Sequence, residues 1–135
     1  GNALSMTSTI ESSFGSRLMT EGGFLLNNEL TDFSFQRAKK GERVANNIEP
    51  NKRPRSSMAP TIIFKNDKPL FIIGSPGGSN IIGYVVKSII GLIDWKMNVQ
   101  QAASINHGIN KFGTFYLEKN SKIALLKNEL EKKRI

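Results

Sequence analysis

The stretch Gly74-Ser75-Pro76-Gly77-Gly78-Ser79 follows a β-rich apolar run and precedes a long apolar one. At such a strand-to-helix junction, free backbone N–H groups and the positive helix end stabilise an anion. A phosphate cradle would require the Lys of a G-x-x-x-x-G-K-[ST] loop or the spacing of G-x-G-x-x-G, and neither is present. An oxyanion hole requires only two N–H groups aimed at developing negative charge, and Gly77 and Gly78 offer backbone that no side chain obstructs. A tight turn without chemistry fits the same residues.

Two further sets could bind substrate. Lys52-Arg53-Pro54-Arg55-Ser56-Ser57-Met58-Ala59-Pro60 sets adjacent hydroxyls between prolines, a rigid way to present donors to a carboxylate. A Ser pair in a loop serves equally as a solvent-facing or capping pair. Thr7, Thr9, Glu11, Asn28, Glu29 and Asp32 form a polar set whose three carboxylates could hold an ammonium group. The plain alternative is a pair of solvated strand ends. His107 is the single histidine and lies far in sequence from Ser56, Ser57, Ser75 and Ser79, so a structural role fits it better than a Ser-His-Asp triad. The lack of Cys excludes thiolate zinc sites, disulfides and Cys nucleophiles, and a single His argues against a metal centre, so no metal or cofactor is expected.

These groups need elements to position them. Ala3 to Ile10 alternates, with Leu4, Met6, Ser8 and Ile10 on one face, and reads as a strand opening from the Gly1-Asn2 turn signal and missing its hairpin partner. Phe24-Leu25-Leu26, running into Asn27-Asn28, reads as a short buried strand. Residues 36 to 55 hold seven Lys or Arg, three Asn and two Pro without a period, and read as a loop, mobile or covered by a partner. Thr61 to Lys65 and Leu70 to Ile73 are strands joined by a turn at Asn66-Asp67-Lys68-Pro69. From Asn80 to Ile93 apolar residues cover most of a helical surface, which predicts a central helix packed on nearly every side. Asn98 can cap a short helix through Ser104, and Ser121 to Lys133 carries a helical stripe of Ile123, Leu126 and Leu130.

At 135 residues one domain is expected, and the absence of a stop signal before Ile135, like the turn at Gly1, reads as truncation at both ends. The longest apolar stretch is broken by Lys87 and is too short to cross a bilayer, so no membrane span is predicted. The net charge of +8 is uneven. Residues 1 to 35 hold one Arg against four acids, and the rest hold 18 basic against seven acidic residues. The basic residues are scattered without a reading motif, so a solvated surface is expected rather than nucleic-acid binding.

Taken in order, T-S-T-I-E-S-S-F-G-S (7 to 16), F-L-L-N-N-E-L-T-D-F-S (24 to 34), N-K-R-P-R-S-S-M-A-P-T (51 to 61) and G-S-P-G-G-S (74 to 79) resemble the small subunit of gamma-glutamyltransferases, also called gamma-glutamyltranspeptidases or glutathione hydrolases. The resemblance extends through Ile93-Asp94-Trp95-Lys96-Met97-Asn98-Val99-Gln100-Gln101-Ala102. It implies an α+β chain, part of the αββα sandwich of N-terminal-nucleophile hydrolases, which cut their own precursor to expose a Thr. That Thr attacks a γ-glutamyl amide, with its own amine as base, and the acyl-enzyme passes to water or an amino acid.

On that pattern Thr9 would contact the nucleophile's amine, Gly77 and Gly78 would form the oxyanion hole, and Ser56 and Ser57 would bind the donor's α-carboxylate. Glu29 and Asp32, with Asn28 beside them, would bind its α-ammonium. A γ-glutamyl donor such as glutathione and a large subunit, from the same precursor or an adjoining gene, are the implied partners. A periplasmic or secreted location is implied likewise. The Thr-Thr-His-type start would lie about nine residues before Gly1, so the chain alone is expected to be inactive, whether as an enzyme part or as the product of a split or decayed gene. Glu11 stands where glutathione-cleaving members carry Asn, and its I-E-S context resembles acylases of the glutaryl-cephalosporin type. If the site takes γ-glutamyl donors, Glu11, beside Glu29 and Asp32, must be protonated, balanced by a base such as Arg17, or turned away.

Overall fold

The computed structural model describes residues 1–133, and Ile135, at which the truncation reading rests, lies outside them. The chain forms two compact units, Met6–Ser56 in one and Gly1–Ser5 with Ser57 onward in the other. The mixture of helices and antiparallel hairpins is α+β.

In the larger unit, β3 (Thr61–Lys65) and β4 (Lys68–Ile73) pair antiparallel, with Lys65 opposite Lys68. Asn66 and Asp67 both take positive φ, the left-handed pair that a two-residue hairpin with right-twisted strands requires. A bulge between Ile63 and Phe64 shifts the register. From β4 the chain passes through the glycine loop and a 3₁₀ turn, Gly78–Asn80, into α1 (Ile81–Ile93). Helix α2 (Val99–Ser104) begins with the expected cap: Asn98 Oδ1 accepts from Gln101 N at 2.9 Å, and Gln101 Oε1 accepts from Asn98 N at 3.0 Å. Ala102 packs against Gly91, where an added β-carbon would come within 3.2 Å of it.

The remaining elements were not read from sequence in this form. β5 (Gly108–Lys111) and β6 (Thr114–Leu117) form a hairpin over Phe112-Gly113, both at positive φ. The C-terminal stripe is split into a 3₁₀ stretch, Lys122–Leu126, and α3 (Lys127–Lys132).

Three expectations need correction. Residues 3 to 10 are not a strand, because no backbone ladder faces them among the described residues. Their alternation survives in burial, but Leu4 and Met6, on the apolar face, are 77% and 76% exposed. Phe24-Leu25-Leu26 is not a buried strand either: Phe24 and Leu26 are exposed, and the segment folds back on 16–20 through Thr20 N to Phe24 O, Leu26 N to Leu18 O and Ser16 N to Leu26 O, each at 2.9 Å. Helix α1 buries Ile81, Val85 and Leu92 but leaves Ile82 and Val86 about half exposed, so one face is covered and the other is not.

Residues 36 to 55 are also more ordered than a loop without a period suggests. β1 (Ala38–Lys39) and β2 (Glu42–Arg43) form a minimal hairpin, Ser34 bridges Asn47 in parallel, and Asn47 is buried. The order comes from side chains satisfying backbone groups, which hydrophobic periodicity does not report. The described strands make three separate two-stranded sheets.

Candidate active site

Within Met6–Ser56 the structure brings the acidic set together. Thr9 Oγ1 accepts from Glu11 N at 2.9 Å, in a turn where Glu11 itself has positive φ. The Glu11 carboxylate accepts from Ser12 Oγ at 2.6 Å, from the Asn28 side-chain amide and, at 3.5 Å, from Thr31 Oγ1. Asn28 also accepts from Ser12 N at 3.0 Å through Oδ1. Its side chain therefore sews the Thr9–Ser12 turn to the 3₁₀ turn Glu29–Asp32. Phe33, buried at the end of that turn, anchors it.

These bonds bear on the charge of Glu11. Hydrogen bonds from Ser12 and then Asn28 favour the ionised form and hold its carboxyl below the usual value. Neither protonation nor Arg17 is needed: among the described residues Arg17 makes no ion pair with it. Glu29 goes the other way. Burial first, then the charges of Asp32 and Glu11, push its carboxyl up. Its Oε1 is buried and meets no hydrogen-bond donor among the described residues. A buried carboxylate oxygen on a half-buried residue, crowded by two like charges and lacking a donor, is the electrostatic complement of a small cation. Ser56 is exposed and ends this unit.

In the other unit Ser57 is half-buried, and the glycine loop is fixed by close packing. Gly77 has φ +134, and a β-carbon there would lie 2.6 Å from Tyr84 Cε2. Gly78, at φ +53, opens the turn into α1 and faces open space. Both are exposed, and among the described residues no acceptor takes either N–H. From the hairpin side, Lys111 Nζ donates to Ser79 Oγ at 2.7 Å and to Asn80 Oδ1 at 3.0 Å, and it lies 5.7 Å above the Tyr116 ring. Two exposed glycine N–H groups that no described residue takes thus stand at the start of a helix, where backbone donors can meet an anion.

Among the described residues His107 takes no part in a triad. Its ring meets Tyr84 with centroids 3.8 Å apart, and burial, followed by the Lys87 charge and against Glu118, pushes its pKa down. Tyr84, His107, Tyr116, Glu118 and Asn80 line a cavity of about 350 Å³ on this side of α1. Sequence reasoning missed this arrangement because it left 108 to 117 unread. The signal was the alternation of Gly-Ile-Asn-Lys and Thr-Phe-Tyr-Leu around Phe112-Gly113, weakened by Phe where Asn or Asp usually stands. It also missed that the Asn28 side chain bonds to Glu11, Ser12 and Thr31. Among the described residues no cluster of three or more His, Cys, Asp or Glu is placed to hold a metal ion, and no helix is long and apolar enough to cross a membrane.

The comparisons with known proteins define the class first. A gamma-glutamyltranspeptidase structure from Helicobacter pylori, in a mutant form, overlays with a TM-score of 0.87 at 43% identity, covering 98% of this chain and 76% of that one. The chain is thus an α+β part of the N-terminal-nucleophile hydrolase sandwich. The family model for gamma-glutamyltranspeptidase matches residues 1–134, and the chain belongs to that family. Among curated relatives, the glutathione hydrolase proenzyme of Bacillus subtilis is 50% identical over 103 residues, covering 76% of this chain and 17% of the relative. That of Escherichia coli is 42% identical over 113 residues, covering 77% and 19%. The chain therefore spans under a fifth of the length of either proenzyme.

Proposed function

We propose that this chain supplies the donor-recognition and oxyanion groups of a γ-glutamyl transferase/hydrolase. The enzyme moves a γ-glutamyl group from an amide donor such as glutathione to water or an amino-acid acceptor through an acyl-Thr intermediate. The sequence contains no Thr-Thr-His, so the nucleophile belongs to a segment beyond these residues, and a large subunit completes the enzyme. Glu29 and Asp32 take the donor's α-ammonium. Ser56 and Ser57 take its α-carboxylate, and the Gly77 and Gly78 N–H groups take the oxyanion. Thr9 lies toward the nucleophile's amine. Glu11 and Asn28 act one step back, as the pair that holds the Thr9 and Glu29 turns.

The observation that carries this reading is the buried, unpartnered Oε1 of Glu29 beside two further carboxylates. An α-ammonium supplies both the missing donor and the missing positive charge. A glutaryl donor, the acylase alternative, brings neither, and would leave three acids facing one another.

The test is a comparison of γ-glutamyl anilide with glutaryl anilide in the enzyme assembled from this chain and the rest of a proenzyme. The wild-type assembly is expected to prefer the γ-glutamyl donor. Glu29→Gln is expected to raise its KM and to cut that preference by roughly 10- to 100-fold, the scale of one charge-assisted buried contact at 1.5–3 kcal/mol. The 135-residue chain by itself is expected to stay at background. A wild-type preference for glutaryl anilide, or a preference that Glu29→Gln leaves intact, removes the ammonium site.

A further inference from the structure

One side chain in Met6–Ser56 makes hydrogen bonds to both ends of this recognition machinery. Asn46 Nδ2 donates to the Asp32 carbonyl at 2.7 Å, and Asn46 Oδ1 accepts from the Arg55 N–H at 2.9 Å. The orientation of the amide is fixed, because a carbonyl can only accept and a backbone N–H can only donate, so a flipped Asn46 would lose both bonds. Its backbone is held too: the Asn46 carbonyl accepts from Ser34 N at 2.8 Å.

The residues around Asn46 are staked from the other side. Lys52 Nζ donates to the Ala45 carbonyl at 2.7 Å and to Asn47 Oδ1 at 2.9 Å. Asn47 is only 3% exposed, and Glu49 pairs with both Arg43 and Lys52. Seen from Asn46, the Glu29–Asp32 turn lies one bond away on one side, and the residue before Ser56 lies one bond away on the other.

We propose that Asn46 is a positioning residue that sets the spacing between the ammonium-binding turn and the carboxylate-binding serine segment. The proposal rests on the donor reading above. An amino acid carries its ammonium and carboxylate on one carbon, so two recognition segments are useful only when their separation is fixed. A misplacement of about 1 Å can cost on the order of 100-fold in rate. A single amide bonded to both segments ties them by backbone groups rather than by the recognising side chains.

Asn46→Ala in the assembled enzyme is expected to lower kcat/KM for γ-glutamyl anilide by at least about 10-fold, mainly through KM, while kcat/KM for glutaryl anilide, which has no ammonium to register, changes little. Asn46→Asp keeps the acceptor for Arg55 N–H and loses the donor to Asp32. It is expected to shift the same ratio while leaving the Arg55 amide protected from hydrogen exchange, whereas Asn46→Ala exposes that amide. An unchanged donor ratio in both variants, even with a lowered melting temperature, overturns the positioning role. So does Arg55 exchange that neither variant alters. Should the wild-type enzyme reject γ-glutamyl anilide altogether, the functional reading fails by itself, and Arg55 exchange in the two variants still decides whether Asn46 ties the segments.

Discussion

The acidic turn and the glycine loop belong to different compact units and are held by different physics. Around Glu11, Asn28 and Asn46, shape comes from side-chain amides and hydroxyls bonded to backbone and to carboxylates at or near the surface. Around Gly77, shape comes from contact: Tyr84 against the glycine and His107 against Tyr84, on a helix that buries Ile81, Val85 and Leu92. A polar network is set by charge state and by each donor finding its acceptor, while a packed corner is set by volume. The first should respond to pH and to single-atom changes that preserve size, and the second to added bulk.

The sharpest test of that contrast is Gly77→Ala. A single methyl group would meet the Tyr84 ring at 2.6 Å and would sit on backbone at φ +134, which side chains rarely adopt. Strain of roughly 1–3 kcal/mol is expected, and displacement of the oxyanion donors should cost on the order of 10²–10³ in kcat. The melting temperature of the chain and kcat of the assembled enzyme read the two effects. Near-normal kcat would mean that Gly77 does not touch the reacting atoms.

A smaller effect is expected from acid on the other unit. Arg43, with Asn47 and Lys52, lowers the Glu49 carboxyl from 4.5 to about 2. A carboxylate whose pKa is lower when folded contributes stability that is full above its unfolded value and is lost as pH falls through the folded one. The Met6–Ser56 unit should therefore loosen as pH drops from 4.5 toward about 2, and Glu49→Gln should flatten that response. Hydrogen exchange of the Asn46 and Asn47 amides across that range measures it. An acid response equally strong in the Gln variant would place its source elsewhere. The packed corner is expected to change less over the same interval.

The least costly change should be Asn98→Ala, which removes one arm of the α2 capping box. A loss of roughly 0.5–2 kcal/mol is typical of an N-cap, and denaturant titration would read it. No effect on donor preference is expected, since the cap supports the packed side without touching either recognition segment. A changed preference would show that the two regions are less independent than their supports suggest.

Much of the packed side was legible in the residues. The turn chemistry of Asn66-Asp67, the cap at Asn98 and the apolar periodicity of Ile81 to Ile93 act through short-range sterics and local hydrogen bonds, so they can be read from neighbours in sequence. The motifs that carry the family resemblance were legible for the same reason, being unbroken runs. The strand expected over Ala3 to Ile10 was not correct, because alternation specifies two faces and says nothing of a partner strand. Only tertiary structure could decide which polar residues bond to one another. Asn28 and Glu11, read as substrate ligands, take each other as partners across 17 positions, and Asn46, overlooked in a basic stretch, is bonded to residues 14 positions before it and nine after. A hydrogen bond is directional and leaves no periodic trace along the chain, so its partner is known only once the backbone has brought the two groups together.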